Sequence, residues 1–388
     1  MSISITDFAF DLYHHFCSWS QTSNILFSPV SIATAFTMLS LGTKGNTHKQ
    51  ILEGLKFNLT KMPEDLIHEC FHHFLNSFHQ PQITTGSSFF LDQSLKLVQQ
   101  FKEEIEKMYY SDIMLINFTD NMAARQINNY LEQKTHGEIV EAMKDLEKDT
   151  AFVLMNYIAF YGKWQSEFSV EHTVEEDFYV DSDTTVKVPM SHCRGQFFLY
   201  RELELDSWVM VHHYVGDTTG FFFLPDLGKM RHLETSLNHR HFENILRNMA
   251  LRSADVYFPK LSISETYDLK TMLTQMGITQ VFSNEADLSG VTEDAPLKLS
   301  KSIHKAMLTF DNEEMEASEE INLDAMTRTL PPSLSWTLFL LPGLCCLLPS
   351  SQAEDILQEG ASDYGNYQEP SHCQKVALTI ASFSFSLL

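Results

Sequence analysis

The chain has 388 residues and a mass of 44.6 kDa, with 44% hydrophobic and 20% charged residues, enough to bury one large core or two smaller ones. Asp and Glu number 51 against 27 Lys and Arg, and the formal net charge of −24 repels nucleic-acid phosphates and acidic membrane surfaces, so neither is an expected partner. With only 15 Gly and 12 Pro, and aromatics at 12%, collagen-like, low-complexity and disordered classes are excluded.

In chain order, Met1 to Phe8 lacks a basic start followed by an apolar run, and Asp7 sits where an export signal is most hydrophobic, so no such signal is expected in the chain as read. Ser28-Pro29 predicts a helix start, an N-cap residue followed by Pro at the first helical position, and Gly42 is the expected stop. Ile32, Phe36 and Leu39 share one face, but Val30, Ala33, Ala35, Met38 and Leu41 make the others apolar too, which predicts a fully buried helix. Leu97, Phe101, Ile105 and Met108 form a single stripe among Lys and Glu, the pattern of a helix lying on a surface.

From Thr150 to Trp164 both alternating sets are apolar, Phe152, Leu154, Ile158 and Phe160 against Val153, Met155, Tyr157 and Tyr161, which predicts a strand covered on both faces. Further strands are predicted over Thr219 to Leu224, Ala254 to Phe258 and Ile303 to Phe310, the last placing Ser302, His304, Ala306 and Leu308 on one side. Helices lead and strands follow, so the fold class is α+β with large sheets. After Phe310 the texture changes. Asp311 to Pro332 holds seven acidic residues and no period that would bury it, and a loop of about twenty residues in a compact protein is usually functional or disordered. Trp336 to Leu348 is apolar but broken by Pro342 and Gly343, well short of the ~20 residues that span a bilayer, so no transmembrane helix is expected.

Several segments then resemble one known family. Asn24-Ile-Leu-Phe-Ser-Pro-Val-Ser-Ile-Ala-Thr-Ala-Phe36, Asn156-Tyr-Ile-Ala-Phe-Tyr-Gly-Lys-Trp164, Phe223-Leu-Pro-Asp226, Phe258-Pro-Lys-Leu261, Gly277-Ile-Thr-Gln-Val-Phe282 and Ser300-Lys-Ser-Ile-His-Lys-Ala306 are similar to serpin motifs, in serpin order. The resemblance implies a body of three β-sheets with about nine helices over residues 1–332, including an exposed reactive loop at 311–332. It implies an inhibitor of serine proteases rather than an enzyme. The target cuts the loop and is trapped as an acyl-enzyme while the loop inserts into the main sheet. The resemblance also implies a secreted monomer that needs no cofactor.

Residue by residue, Ser28, Ser31, Asn156 and His304 match the family's polar cluster beneath the opening sheet, and Trp164 matches the aromatic at its upper end. Alignment of the loop puts the bait at Arg328 and the scissile bond between Arg328 and Thr329. A guanidinium there suits trypsin-like proteases, whose specificity pocket holds a carboxylate. Asn58-Leu-Thr60 and Asn117-Phe-Thr119 are glycosylation sequons, meaningful in an exported chain.

Two departures from the family are expected to matter. The loop hinge of inhibitory serpins is small and nearly uncharged, whereas here it reads Glu314, Met315, Glu316, Ala317, Ser318, Glu319 and Glu320. Period-2 alternation would bury Met315, Ala317, Glu319 and Ile321 together, and an unpaired Glu319 carboxylate inside should cost several kcal/mol. Second, residues 333–388 read as a foreign tail in place of the family's last two core strands, as an altered reading frame or alternative exon would produce. Losing those strands would leave sheet edges open, although Val376, Leu378 and Ile380 followed by Phe383, Phe385 and Leu387 alternate as a strand does. A non-inhibitory homologue, acting as protease substrate or carrier or made inactive by aberrant splicing, is therefore the second reading.

No other constellation anchors a chemistry. His14-His15 with Cys17, and His68 with Cys70, His72 and His73, bring metal-ligand types together without zinc-site spacing, and no metal is expected. Cys17, Cys70, Cys193, Cys345, Cys346 and Cys373 are too scattered for a disulfide scaffold. No nucleophile elbow, His-Glu-x-x-His or phosphate-cradling Gly loop is present, so there are no catalytic residues to assign.

Overall fold

The computed structural model describes residues 2–19, 24–77, 83–147, 149–161, 172–179, 185–213, 218–259, 261–294, 296–310, 337–342 and 379–382. Helix α1 (Ser2–Trp19) leads to the short strand β1 (Ile25–Phe27) and to α2 (Pro29–Ser40). Ser28 caps α2 by accepting from the Ser31 amide, and all 12 residues of the helix are buried. The helix stops two residues before Gly42, and Gly42 is there for close approach rather than for a left-handed turn. A Cβ on it would lie 2.4 Å from Val291 Cγ2, and one on Gly290 would lie 2.9 Å from the Gly42 backbone.

Helices α3 (Gly45–Gly54) and α4 (Glu64–Ser77), strand β2 (Ile83–Asp92), helix α5 (Gln99–Tyr109), strand β3 (Asp112–Ile116) and helix α6 (Ala123–Lys134) follow. In α5 the predicted stripe buries Phe101 and Ile105, with Tyr109 completing it. Leu97 precedes the helix and pairs with Thr292 in an isolated bridge. Strand β4 (Phe152–Tyr161) is the one predicted from Thr150, and it is covered on both faces. Phe152 and Leu154 join the main core with α1 and α2, whereas Val153, Met155 and Tyr157 pack beneath α6.

The middle of the chain supplies β5 (His172–Tyr179), β6 (Thr185–Glu202), β7 (Ser207–His213), β8 (Thr218–Pro225), α7 (Met230–Ser236), α8 (His239–Asn248), β9 (Ala250–Pro259) and β10 (Leu261–Asp268). Then come α9 (Lys270–Gln275), a 3-10 turn at Gln280–Phe282, and β11 (Lys301–Phe310). Strands β12 (Thr337–Pro342) and β13 (Thr379–Ser382) come from the tail.

The strands form three sheets. One has the order β10-β11-β4-β2-β3, with β11 and β4 parallel at its centre. The other two are joined through β6, whose 18 residues serve both: 185–192 pair with β5, 198–202 pair with β7, and β9 runs along 190–199 between them. Beyond β7 the order is β8, β12, β13, β1.

The tail differs from the expectation of open edges. Within its described residues β12 pairs with β8 from Thr337↔Phe223 to Pro342↔Thr218, and β13 joins β12 to β1. The physical reason is that strand pairing is made by backbone groups, so it does not require the family's side-chain motif. Ending the chain at Trp336 should therefore unpair β1 and open one side of β8, which keeps only β7, and drive the protein into aggregates in gel filtration; a truncated chain that elutes and melts like the full one would contradict this.

Candidate functional site

A row of side chains crosses the five-stranded sheet in register. Ser87 on β2 lies opposite Asn156 on β4, Asn156 opposite His304 on β11, and His304 opposite Tyr267 on β10. The row interrupts an apolar layer at the point where the N-terminus of α2 meets the sheet. Buried polar groups persist in such a layer only when they satisfy one another, and these do.

His304 Nδ1–H donates to Asn156 Oδ1 at 2.6 Å, and the Ser28 amide donates to His304 Nε2 at 3.0 Å. The amide can only donate, which fixes the neutral tautomer with its proton on Nδ1. The Asn156 side-chain amide donates among Ser31 Oγ at 2.6 Å, Ser87 Oγ at 2.9 Å, Ser31 O at 3.1 Å and Gly86 O at 3.2 Å. Ser31 Oγ also meets Thr85 Oγ1 at 3.2 Å, and the Leu26 amide donates to Tyr267 Oη at 3.1 Å. His304 is fully buried, and burial pushes its pKa down to about 3.

The His304–Asn156 bond therefore spans the seam between the two parallel central strands. Asn156 in turn ties β4 to β2 and to α2. Beside the row a cleft of about 190 Å³ opens between α2, α4 and β2, lined by hydroxyls that include those of Thr85, Ser87, Tyr130 and Tyr157. Burial pushes the Tyr157 hydroxyl up to about 12, so it stays protonated.

The structure brings Ser28, Ser31, Asn156 and His304 together. Trp164, Arg328, Thr329 and the hinge residues Glu314 to Glu320 lie outside the described residues. The sequence reading missed Thr85, Gly86, Ser87 and Tyr267. The run Thr84-Thr85-Gly86-Ser87-Ser88, small and polar inside a strand that ends Phe89-Phe90-Leu91, is the signal that could have found the first three. Gly86 is required by contact, since a Cβ there would meet Tyr157 Oη at 2.5 Å. Among the described residues no three potential ligands gather to hold a metal: His68 bonds Tyr109 Oη and His72 bonds the Met108 carbonyl. Cys17 and Cys70 are free thiols, and burial raises Cys17 to about 12.

The family model described as serpin (serine protease inhibitor) matches residues 3–336. The chain belongs to the serpin family. It is 51% identical over 341 residues to alpha-1-antiproteinase of Rattus norvegicus, covering 87% of this chain and 83% of that protein. Human thyroxine-binding globulin complexed with thyroxine superposes with a TM-score of 0.82 at 34% identity, over 88% of this chain and 94% of that one. Human kallistatin superposes with a TM-score of 0.80 at 36% identity, over 87% and 92%. This serpin has nine α-helices and three sheets among its described residues, and none of those helices is long and apolar enough to cross a membrane.

In this serpin the low pKa of His304 makes stability depend on pH. The unfolded imidazole, with an ordinary value of 6.5, takes up its proton before the folded one does. Stability from this group is complete above about pH 6.5 and drains away by about 1.4 kcal/mol per pH unit down to about pH 3. Replacing the ring by a neutral amide, His304→Gln, should cost about 1–3 kcal/mol at pH 8 and flatten that acid limb in denaturant titrations; an unchanged slope would remove His304 as its source.

Proposed function

We propose that this serpin inhibits serine proteases by offering residues 311–332 as bait and trapping the enzyme while the severed loop enters the seam between β4 and β11. One observation carries this reading. The two central strands are parallel and bonded directly to one another, from Lys301↔Val153 to Thr309↔Tyr161. A strand entering between them runs antiparallel to both, exchanging one parallel ladder for two antiparallel ladders, which are slightly more stable per residue. Strand β11 ends at Phe310, directly before the bait segment, so the segment that leaves the seam is the one positioned to return to it.

Ser28, Ser31, Asn156 and His304 act as the latch on that seam, with Trp164 at its upper end. Arg328 is the bait, Arg328–Thr329 the severed bond, and the targets are trypsin-like enzymes that pair the guanidinium with a carboxylate. The protein acts outside cells as a monomeric glycoprotein, and residues 333–388 stand in for the family's usual C-terminal strands. The name of the rat relative, alpha-1-antiproteinase, supports the inhibitory reading.

A second reading has its own support. The hinge carries glutamates at 314, 316, 319 and 320, of which Glu319 would turn inward and oppose insertion of the loop, and a thyroxine-binding globulin that holds thyroxine shares the fold, so the protein would serve as a protease substrate or a carrier.

Mixing the purified protein with trypsin and running a denaturing gel separates the two. Trapping gives a covalent band of summed mass that Arg328→Ala abolishes, whereas a clean cut after Arg328 with no such band rejects it. Glu319→Ala should raise the ratio of complex to cleaved product by roughly tenfold, the factor given by about 1.4 kcal/mol off the insertion barrier.

A further inference from the structure

The two outer edges of the five-stranded sheet are built differently. Strand β10 closes one side with Ser262, Ser264, Glu265, Thr266 and Asp268, polar residues that discourage pairing with another chain. Strand β3 closes the other with Asp112-Ile113-Met114-Leu115-Ile116, apolar after its first residue. Among the described residues it pairs with β2 alone, parallel, from Ser88↔Asp112 to Asp92↔Ile116. Met114 is 38% exposed and Leu115 51%, so consecutive residues leave apolar groups on both faces of this edge. Met122, just before α6, is 42% exposed as well. An apolar edge strand with an open side is a template for strand addition, and proteins normally blunt it with charge, a bulge or a cover.

No charge or proline follows Asp112 along β3, but the residue directly after the strand is Asn117, the first of Asn117-Phe118-Thr119. The turn presents this triplet outward. Phe118, the middle residue, is buried beneath α6 and donates its amide to Asp92 Oδ2 at 3.3 Å, which leaves Asn117 and Thr119 on its outer side. Asn117 Oδ1 accepts from the Thr119 amide at 3.1 Å and from Thr119 Oγ1 at 2.6 Å. Its Nδ2 makes no hydrogen bond among the described residues, so a substituent on that nitrogen displaces no contact.

We propose that Asn117 carries an N-linked oligosaccharide that covers the open edge of the five-stranded sheet and keeps β3 from pairing with a strand of another molecule. Nδ2 attacks C1 of the terminal sugar of a polyprenyl-pyrophosphate oligosaccharide. The Nδ2–C1 bond forms, the C1–O bond to pyrophosphate breaks, and Nδ2 loses one proton. The inference rests on the extracellular reading above. The second sequon separates the two: Asn58 has the same turn, with Oδ1 accepting from the Thr60 amide and hydroxyl, but it sits in the connection between α3 and α4 rather than at the end of a strand.

The test is to secrete the full chain behind a cleavable leader from animal cells that make only high-mannose sugars, and to map both sites by peptide mass spectrometry. Asn117 is expected to be occupied. Asn58 occupied with Asn117 bare overturns the inference and leaves the extracellular reading standing, whereas two bare sites overturn both. The cover is then tested on folded Asn58→Gln protein by trimming the remaining oligosaccharide to a single sugar and following light scattering on mild warming. Trimmed protein should aggregate roughly threefold faster, and Leu115→Lys, which charges the edge, should return the trimmed protein toward the slower rate. Equal rates before and after trimming, or a trimmed Leu115→Lys protein that aggregates as fast as the trimmed parent, would overturn the role at the edge.

Discussion

One hydrogen bond, from His304 on β11 to Asn156 on β4, crosses the parallel pair at the centre of the five-stranded sheet. Apolar side chains on neighbouring strands slide past one another with little directional penalty, whereas a buried donor and acceptor have a single good register. Ser87, Asn156, His304 and Tyr267 place such pairs across four strands at one level, and the start of α2 completes them from below. Parting β4 from β11 breaks the row at one bond, while Ser31, Gly86 and Ser87 still hold Asn156. The polar row thus concentrates the resistance to opening at one position and leaves the rest of the seam to ordinary ladder bonds.

The same arrangement bears on the segment that joins β11 to β12. Its start is fixed by β11 in the five-stranded sheet, and its far end runs into β12, which belongs to a different sheet between β8 and β13. On the inhibitory reading proposed above, a segment tied at both ends would be held out of the seam and cutting it would free the part attached to β11, with the Glu319 carboxylate the group whose desolvation would oppose entry.

Much of the scaffold is legible in the sequence because each element is locally consistent. Ser28-Pro29 predicts the cap and first turn of α2, its apolar residues on every side predict burial, and the doubly apolar run from Phe152 predicts the two-faced strand β4. Ser28, Ser31, Asn156 and His304 of the polar cluster are recoverable through family motifs. What escapes is contact that depends on distant segments. Gly42 reads as a helix stop, but its neighbour Gly290 lies 248 positions away and only the fold brings their backbones together. Tyr267 carries no motif and joins the row through its register opposite His304. Strand β12 escapes for another reason, because backbone pairing leaves little mark on side-chain pattern, whereas β13 falls within the alternation read over Val376 to Leu387.

Strand β6 extends this dependence on shared backbone. An 18-residue strand spans roughly 60 Å when fully extended, and one end belongs to the sheet containing β5 while the other belongs to the sheet containing β7. Gly195 lies in the stretch between those two pairings, where β9 is the one strand that accompanies it among the described residues. The backbone of β6 is thus continuous between the two sheets, so a displacement at β5 has a direct covalent path to β7, with β9 alongside it.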